Sequence, residues 1–239
     1  MVDQNEFSRE KLKVRNLGPI LLVTLIACSS ESEFFESPLN PDNEVCPDPS
    51  VALPTGYRFI DSVSKSEIHD IGPNTIHVDA TAGGFVNAAD NPFLYISFAS
   101  GSPKKVSITD LDAFSSTEWD IAFKRIVIRA NGGDSGPAGI EVASSSSIVG
   151  GAVSPDKEAY RVDDFATEDC ELQQGPIGEP VTAFGAWYQY DQEKNRVETD
   201  DRVFFLKRQD RTIRIEFDSY YGVDGTSESA NYILRWSIE

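Results

Sequence analysis

The chain has 239 residues, 40% of them hydrophobic and 10% aromatic, which marks a folded protein rather than a disordered one. Its formal net charge is −18. That excludes the basic face that nucleic-acid phosphates need, and it excludes electrostatic docking on an anionic membrane surface.

Residues 1–27 read as an export signal. Arg9, Lys11, Lys13 and Arg15 give a basic region, and Leu17 to Ala27 is an apolar run broken by Gly18 and Pro19. The run is too short to span a bilayer and suits a signal-peptide core. It ends in Leu25-Ile26-Ala27-Cys28, which resembles the bacterial lipobox. That resemblance implies cleavage before Cys28 and a lipid on its sulfur, hence attachment to a membrane without a spanning helix. Ser29 fits sorting to the outer membrane of a Gram-negative cell, on the periplasmic or the surface side.

Residues 28–56 read as a tether, with Pro38, Pro41, Pro47, Pro49 and Pro54 among Ser, Asn, Glu and Asp. The cysteines are Cys28, Cys46 and Cys170. With Cys28 lipidated, Cys46 and Cys170 remain, and an exported chain meets an oxidising compartment, so these two are expected to form a disulfide.

Residues 57–239 read as one all-β domain of many short antiparallel strands. Tyr57–Ile60 and Ile76–Ala80 are predicted strands. Tyr95 to Ala99 alternates with period two, Ser102 to Lys105 turns the chain, and Val106 and Ile108 open a second strand. Trp119–Phe123 leads into Arg125–Arg129. Asn131 to Gly136 is expected to be a tight hairpin turn with a hydrogen-bonded serine, and Gly139 begins another apolar run. Further turn signals fall at Gly83-Gly84, Asn91-Pro92, Gly150-Gly151, Gly175-Pro176 and Gly178. The last predicted strands are Arg202–Arg208, Thr212–Ser219 and Asn231–Ile238. No long stretch carries helical periodicity.

Several of these motifs together resemble the HmuY family of bacterial surface lipoproteins, known for haem capture. They are Tyr95-Ile96-Ser97-Phe98, Trp119-Asp120-Ile121-Ala122-Phe123, Asn131-Gly132-Gly133-Asp134-Ser135-Gly136, Arg202–Leu206 and Ile213–Tyr220, in the family's order. The resemblance covers roughly residues 75–239. It implies an all-β HmuY-like fold, non-catalytic binding of haem or a related porphyrin, and an outer-membrane receptor as a possible partner. The alternative is a lipoprotein that keeps the fold without haem and holds another small molecule or a protein.

The family's best-known members ligate haem iron through side chains, usually two histidines, in the region that corresponds to 143–201 here. That region holds no histidine and no methionine, so no family ligand carries over. It does hold Tyr160, Tyr188 and Tyr190, and tyrosinate is a ligand of ferric haem. Tyr188 and Tyr190 are the candidate haem-binding residues, against the plainer reading of Trp187-Tyr188-Gln189-Tyr190 as a half-buried strand.

Catalytic and metal signatures are weak. His69 and His77, the chain's two histidines, lie in no HExxH pattern, no Gly-x-Ser-x-Gly elbow is present, and Ser135 has no base nearby in sequence. No catalytic residue and no metal ligand is assigned. Asp163-Asp164 and Asp200-Asp201 read as solvated loops, Trp119 as core, and Asp120 as a turn cap or the partner of a basic side chain.

Overall fold

The computed structural model describes residues 59–146, 155, 159–167, 171, 173–175, 179–185, 187–209, 211–225 and 228–239. The strands are β1 Ile68–Gly72, β2 Thr75–Asp79, β3 Leu94–Ser97, β4 Lys104–Val106, β5 Ile121–Lys124, β6 Val127–Ala130, β7 Glu141–Ser146, β8 Tyr188–Asp191, β9 Arg196–Thr199, β10 Arg202–Arg208, β11 Arg211–Ser219 and β12 Asn231–Ile238. One helical turn, α1 Asp110–Ala113, joins β4 to β5. The sheets run β1-β2-β12-β11-β10-β7, β4-β3-β5-β6 and β8-β9, and every ladder is antiparallel. The fold is all-β, as the alternation predicts. Among the described residues no helix is long and apolar enough to cross a membrane.

Side-chain alternation decides which face each strand buries. In β11, Ile213, Ile215 and Phe217 point inward while Arg214 and Glu216 point outward, and the buried set continues through Phe204 and Leu206 of β10, Leu234 of β12 and Ile76 and Val78 of β2. The smaller sheet packs on this face: the Phe123 ring of β5 lies 5.2 Å from Tyr232 and 6.5 Å from Phe217. Each side chain of this size taken out of water contributes roughly 1.5–3 kcal/mol.

Strands β3, β5 and β6 are buried along their whole length, so their second face is covered as well. The register aligns Tyr95, Ala122 and Arg129 in one row, on the face opposite Phe123. That face packs under Phe59, Phe114 and Trp119, with Tyr95 and Trp119 edge-to-face at 5.0 Å. Trp119 is fully buried and its Nε1 donates to Ala113 O at 2.9 Å, so it is core, as expected.

Several boundaries differ from the sequence reading. Phe59 and Ile60 form no strand; Ile60 N donates instead to the Asp110 carboxylate at 2.8 Å, and Phe59 anchors its segment by packing 4.4 Å from the Phe114 ring. The turn after β3 centres on Gly101, at φ 84, so β4 begins at Lys104 and ends at Val106. Arg125, at φ 53, takes the turn between β5 and β6 and delays β6 to Val127. α1 follows from Thr109, whose hydroxyl accepts from Asp112 N at 3.1 Å and caps the turn.

Asn131 to Gly136 is not a hairpin. β6 belongs to the four-stranded sheet and β7 to the six-stranded one. The segment is a corner that carries the chain from one sheet to the other.

Candidate functional site

The corner is built around three buried polar side chains, Arg129, Asn131 and Asp163. Asn131 Nδ2 donates to Ser116 O at 2.8 Å and to Trp119 O at 2.9 Å, and its Oδ1 accepts from Ala138 N at 3.1 Å. Asp163 accepts from Ala130 N at 3.0 Å, Ala183 N at 2.8 Å and Ser135 Oγ at 2.5 Å. Arg129 Nε donates to Ser135 Oγ at 3.0 Å and Nη2 to Ser135 O at 3.1 Å. The corner requires glycine at three places, and a Cβ on Gly132 would stand 2.3 Å from Ile140 O. A Cβ on Gly133, which has φ +59, would stand 2.0 Å from Asp163 O, and one on Gly136 would stand 2.1 Å from Asn131 Oδ1.

The Arg129 guanidinium also lies 4.6 Å from the Phe59 ring centre, 5.0 Å from Phe93 and 5.1 Å from Phe114. Its Nη1 is buried with no hydrogen-bond partner among the described residues. The aromatic faces supply the attraction that this nitrogen lacks. Lys124, also fully buried, stands 5.3 Å from Phe93. On the same side Asp110 accepts from Phe93 N and Tyr95 Oη, both at 2.9 Å. Loss of water pushes both buried aspartates up, Asp110 and Asp163 each to about 6, although the hydrogen bonds they accept pull the other way.

Asp163 therefore corrects the solvated-loop expectation for Asp163-Asp164: its carboxylate joins the corner to the segment that follows. Asp200 and Asp201 fit that expectation, with Asp200 held by Arg202 at 2.8 Å on a partly exposed turn. Asp120 pairs with a basic side chain as expected. It meets Arg208 Nη1 at 2.5 Å and accepts from Phe98 N at 2.5 Å, which ties the two larger sheets together. Ser135 is consumed by Asp163 and Arg129, with no histidine in this network.

The tyrosines separate sharply. Tyr188 is buried, its ring 5.1 Å from Trp187, and its hydroxyl donates to Glu179 at 2.6 Å. Tyr190 lies two residues along the same strand, 40% exposed, with its hydroxyl against Asn195. Tyr160 has Lys207 Nζ 5.2 Å from its ring, and desolvation raises its phenol above the ordinary value. Tyr188 and Tyr190 lie on one strand, β8, while Tyr160 packs by Lys207 of β10. His69 and His77 stand side by side on the outer face of the β1–β2 hairpin. Cys28, Cys46 and Cys170, with the lipid and disulfide expectations, lie outside the described residues.

Buried polar side chains thus fasten the segments of this all-β chain to one another. The family description "HmuY protein" matches residues 89–233, and the chain belongs to that family. Among solved structures, it is similar to a protein from Bacteroides vulgatus described as HmuY-like and haem-binding. Identity is 19%, over 68% of this chain and 89% of that one, with TM-score 0.44. It is similar to the apo HmuY analogue of Tannerella forsythia at 14% identity, over 75% of this chain and 99% of that one, with TM-score 0.44. A Bacteroides fragilis protein described as a lipoprotein gives 16% identity, over 74% and 94%, with TM-score 0.41. No curated protein matches the chain.

Proposed function

We propose that this chain is a lipid-anchored, non-catalytic binding protein of the outer membrane whose ligand is haem or a related porphyrin. The observation that carries the reading is membership of the HmuY family across residues 89–233. Cys28 is the lipid attachment site in this reading, residues 28–56 are the tether, and residues 57–239 are the binding domain. A Cys46–Cys170 bridge would pin the end of the tether to that domain. The Cys28→Ala variant should move from the membrane to the soluble fraction. Non-reduced peptide mapping should recover Cys46 and Cys170 linked; two freely alkylated cysteines would overturn the bridge.

The donor set departs from the family. With no histidine or methionine between 143 and 201, the phenol of Tyr190 is the better placed of the two tyrosines. It lies at the surface, whereas Tyr188 would have to release Glu179. One phenol suits one axial position on ferric iron, and binding should be weak. Ferric haem titrated into the full chain should give a Soret change without a bis-histidine spectrum, diminished in Tyr190→Phe. A strong bis-histidine spectrum, unchanged in Tyr188→Phe and Tyr190→Phe, would overturn the tyrosine assignment. No Soret change at all would favour the second reading, a family member that has lost haem and holds another small molecule or a protein partner. The same missing donors support that reading.

A further inference from the structure

We propose that His69 and His77 form a chelating site for one divalent transition-metal ion, best suited to Cu²⁺, on the outer face of the β1–β2 hairpin. These are the chain's two histidines, and strand register sets them directly opposite each other. Their ring centres are 5.9 Å apart with planes 23° from parallel. Residues opposed in this way have Cβ atoms about 4.5–5.5 Å apart, so two imidazole nitrogens can reach a common ion at about 2.0–2.1 Å after a small rotation. Ile76 and Val78 of β2 are buried, which turns His77 to the outer face, and His69 is exposed. An ion reaches the pair from solvent without any rearrangement of the fold.

A second observation fixes which nitrogen is available. Asn231 Nδ2 donates to Glu228 O at 2.8 Å, which turns its Oδ1 toward the histidine pair. That oxygen lies 2.9 Å from His77 Nε2. An amide oxygen only accepts, so Nε2 carries the proton and the lone pair of His77 is on Nδ1. Metal-binding histidines are held in this manner, with the second ring nitrogen donating to an oxygen that sets the tautomer and the ring orientation. His69 supplies the mobile second donor.

Among the described residues no cluster of three or more His, Cys, Asp or Glu completes a closed cage. The site is therefore open and two-coordinate from the protein, with water at the other positions. Two imidazoles and water suit Cu²⁺, Ni²⁺ and Zn²⁺, and the order of affinities places Cu²⁺ first. The net charge of −18 favours any cation at the surface. The chelate lies before residue 89, so its histidines fall outside the family-matched segment, although Asn231 falls within it.

The test uses the full chain without a histidine tag and with its thiols alkylated, titrated with Cu²⁺, Ni²⁺ and Zn²⁺ separately. One Cu²⁺ per chain should bind most tightly, with an electron paramagnetic resonance spectrum showing two nitrogen ligands. His69→Ala should reduce the nitrogen count to one and weaken Cu²⁺ binding at least ~10-fold, with an unchanged thermal melt because His69 is exposed. Asn231→Leu, which keeps both histidines, should weaken it by roughly 10-fold. Copper binding that is equal in wild type, His69→Ala and His77→Ala would overturn the site. A haem titration of His69→Ala separates this from the haem reading: it should match wild type, and a lost Soret change there would place the pair in the haem site instead.

Discussion

The corner at 129–136 and the β8–β9 hairpin use polar side chains in opposite ways. At the corner a cation, a carboxylate and an amide are buried, and their bonds run to the backbone of neighbouring segments. At the hairpin Tyr188 and Tyr190 share a strand face, yet one is buried against Glu179 and the other is 40% exposed. A polar group committed to joining segments has little capacity left for a ligand, because releasing it leaves a buried partner unpaired. A binding group has to be spare. By that criterion the corner is architecture, and in the function proposed above Tyr190, whose hydroxyl meets the exposed Asn195, is the tyrosine open to a ligand.

The largest effect that would break this contrast is at Asp163. Asp163→Ala removes the acceptor of Ala130 N, Ala183 N and Ser135 Oγ and takes away one of the carboxylates near the buried Arg129. Losing one partner of a buried charged network costs roughly 3–5 kcal/mol. Urea unfolding of the full chain should show a midpoint lowered accordingly. A loss under about 1 kcal/mol would mean that the corner does not hold the sheets together.

Next in size is the pH dependence of the buried carboxyls. Asp110 and Asp163 rise from 3.8 to about 6 in the fold because burial disfavours their charge. Between those pH values the folded state binds more protons than the unfolded one, so stability from these groups falls as pH rises from about 4 to 6 and is flat above. Acidifying from 7.5 to 5 should strengthen the fold by roughly 1 kcal/mol per carboxyl, because pH 5 lies about one unit below the folded value. In Asp110→Asn the increase should be smaller than in wild type. Equal pH slopes in the two proteins would refute the assignment.

How much of this was legible in the sequence depended on whether the partner was local. β10 and β12 follow their predicted limits because alternation is a property of the strand alone. The turn chemistry of Asn131 to Gly136 is equally clear, but it does not say whether the next strand pairs back or crosses to the other sheet. The carboxylate that settles the corner, Asp163, is 28 residues beyond Ser135. Asp163 and Asp164 are also adjacent acids of one type, and only the fold distinguishes the buried one. β1 went unread because Ile68-His69-Asp70-Ile71-Gly72 offers few apolar residues, yet Gly72-Pro73-Asn74 after it was a usable turn signal. The sequence reading also misses α1, a single turn too short to show helical periodicity, although Thr109 three residues before Asp112 is the signal that marks its start.

The two smallest effects come from the tyrosines and test the contrast most directly. Tyr188→Phe deletes the donor to Glu179, an acid that is only 9% exposed. A hydrogen bond to a charged group is worth about 1.5–3 kcal/mol, so the fold should lose an amount in that range. Tyr190→Phe deletes a hydroxyl at the surface whose partner, Asn195, has water as a substitute. Its stability should stay within about 0.5 kcal/mol of wild type. Ligand binding should reverse the order, with the Soret response diminished in Tyr190→Phe and kept in Tyr188→Phe once both proteins are folded. If Tyr188→Phe lost the response while its melt stayed at the wild-type value, the buried tyrosine would be the binding group. The division between architectural and ligand-facing side chains would then fail at this hairpin.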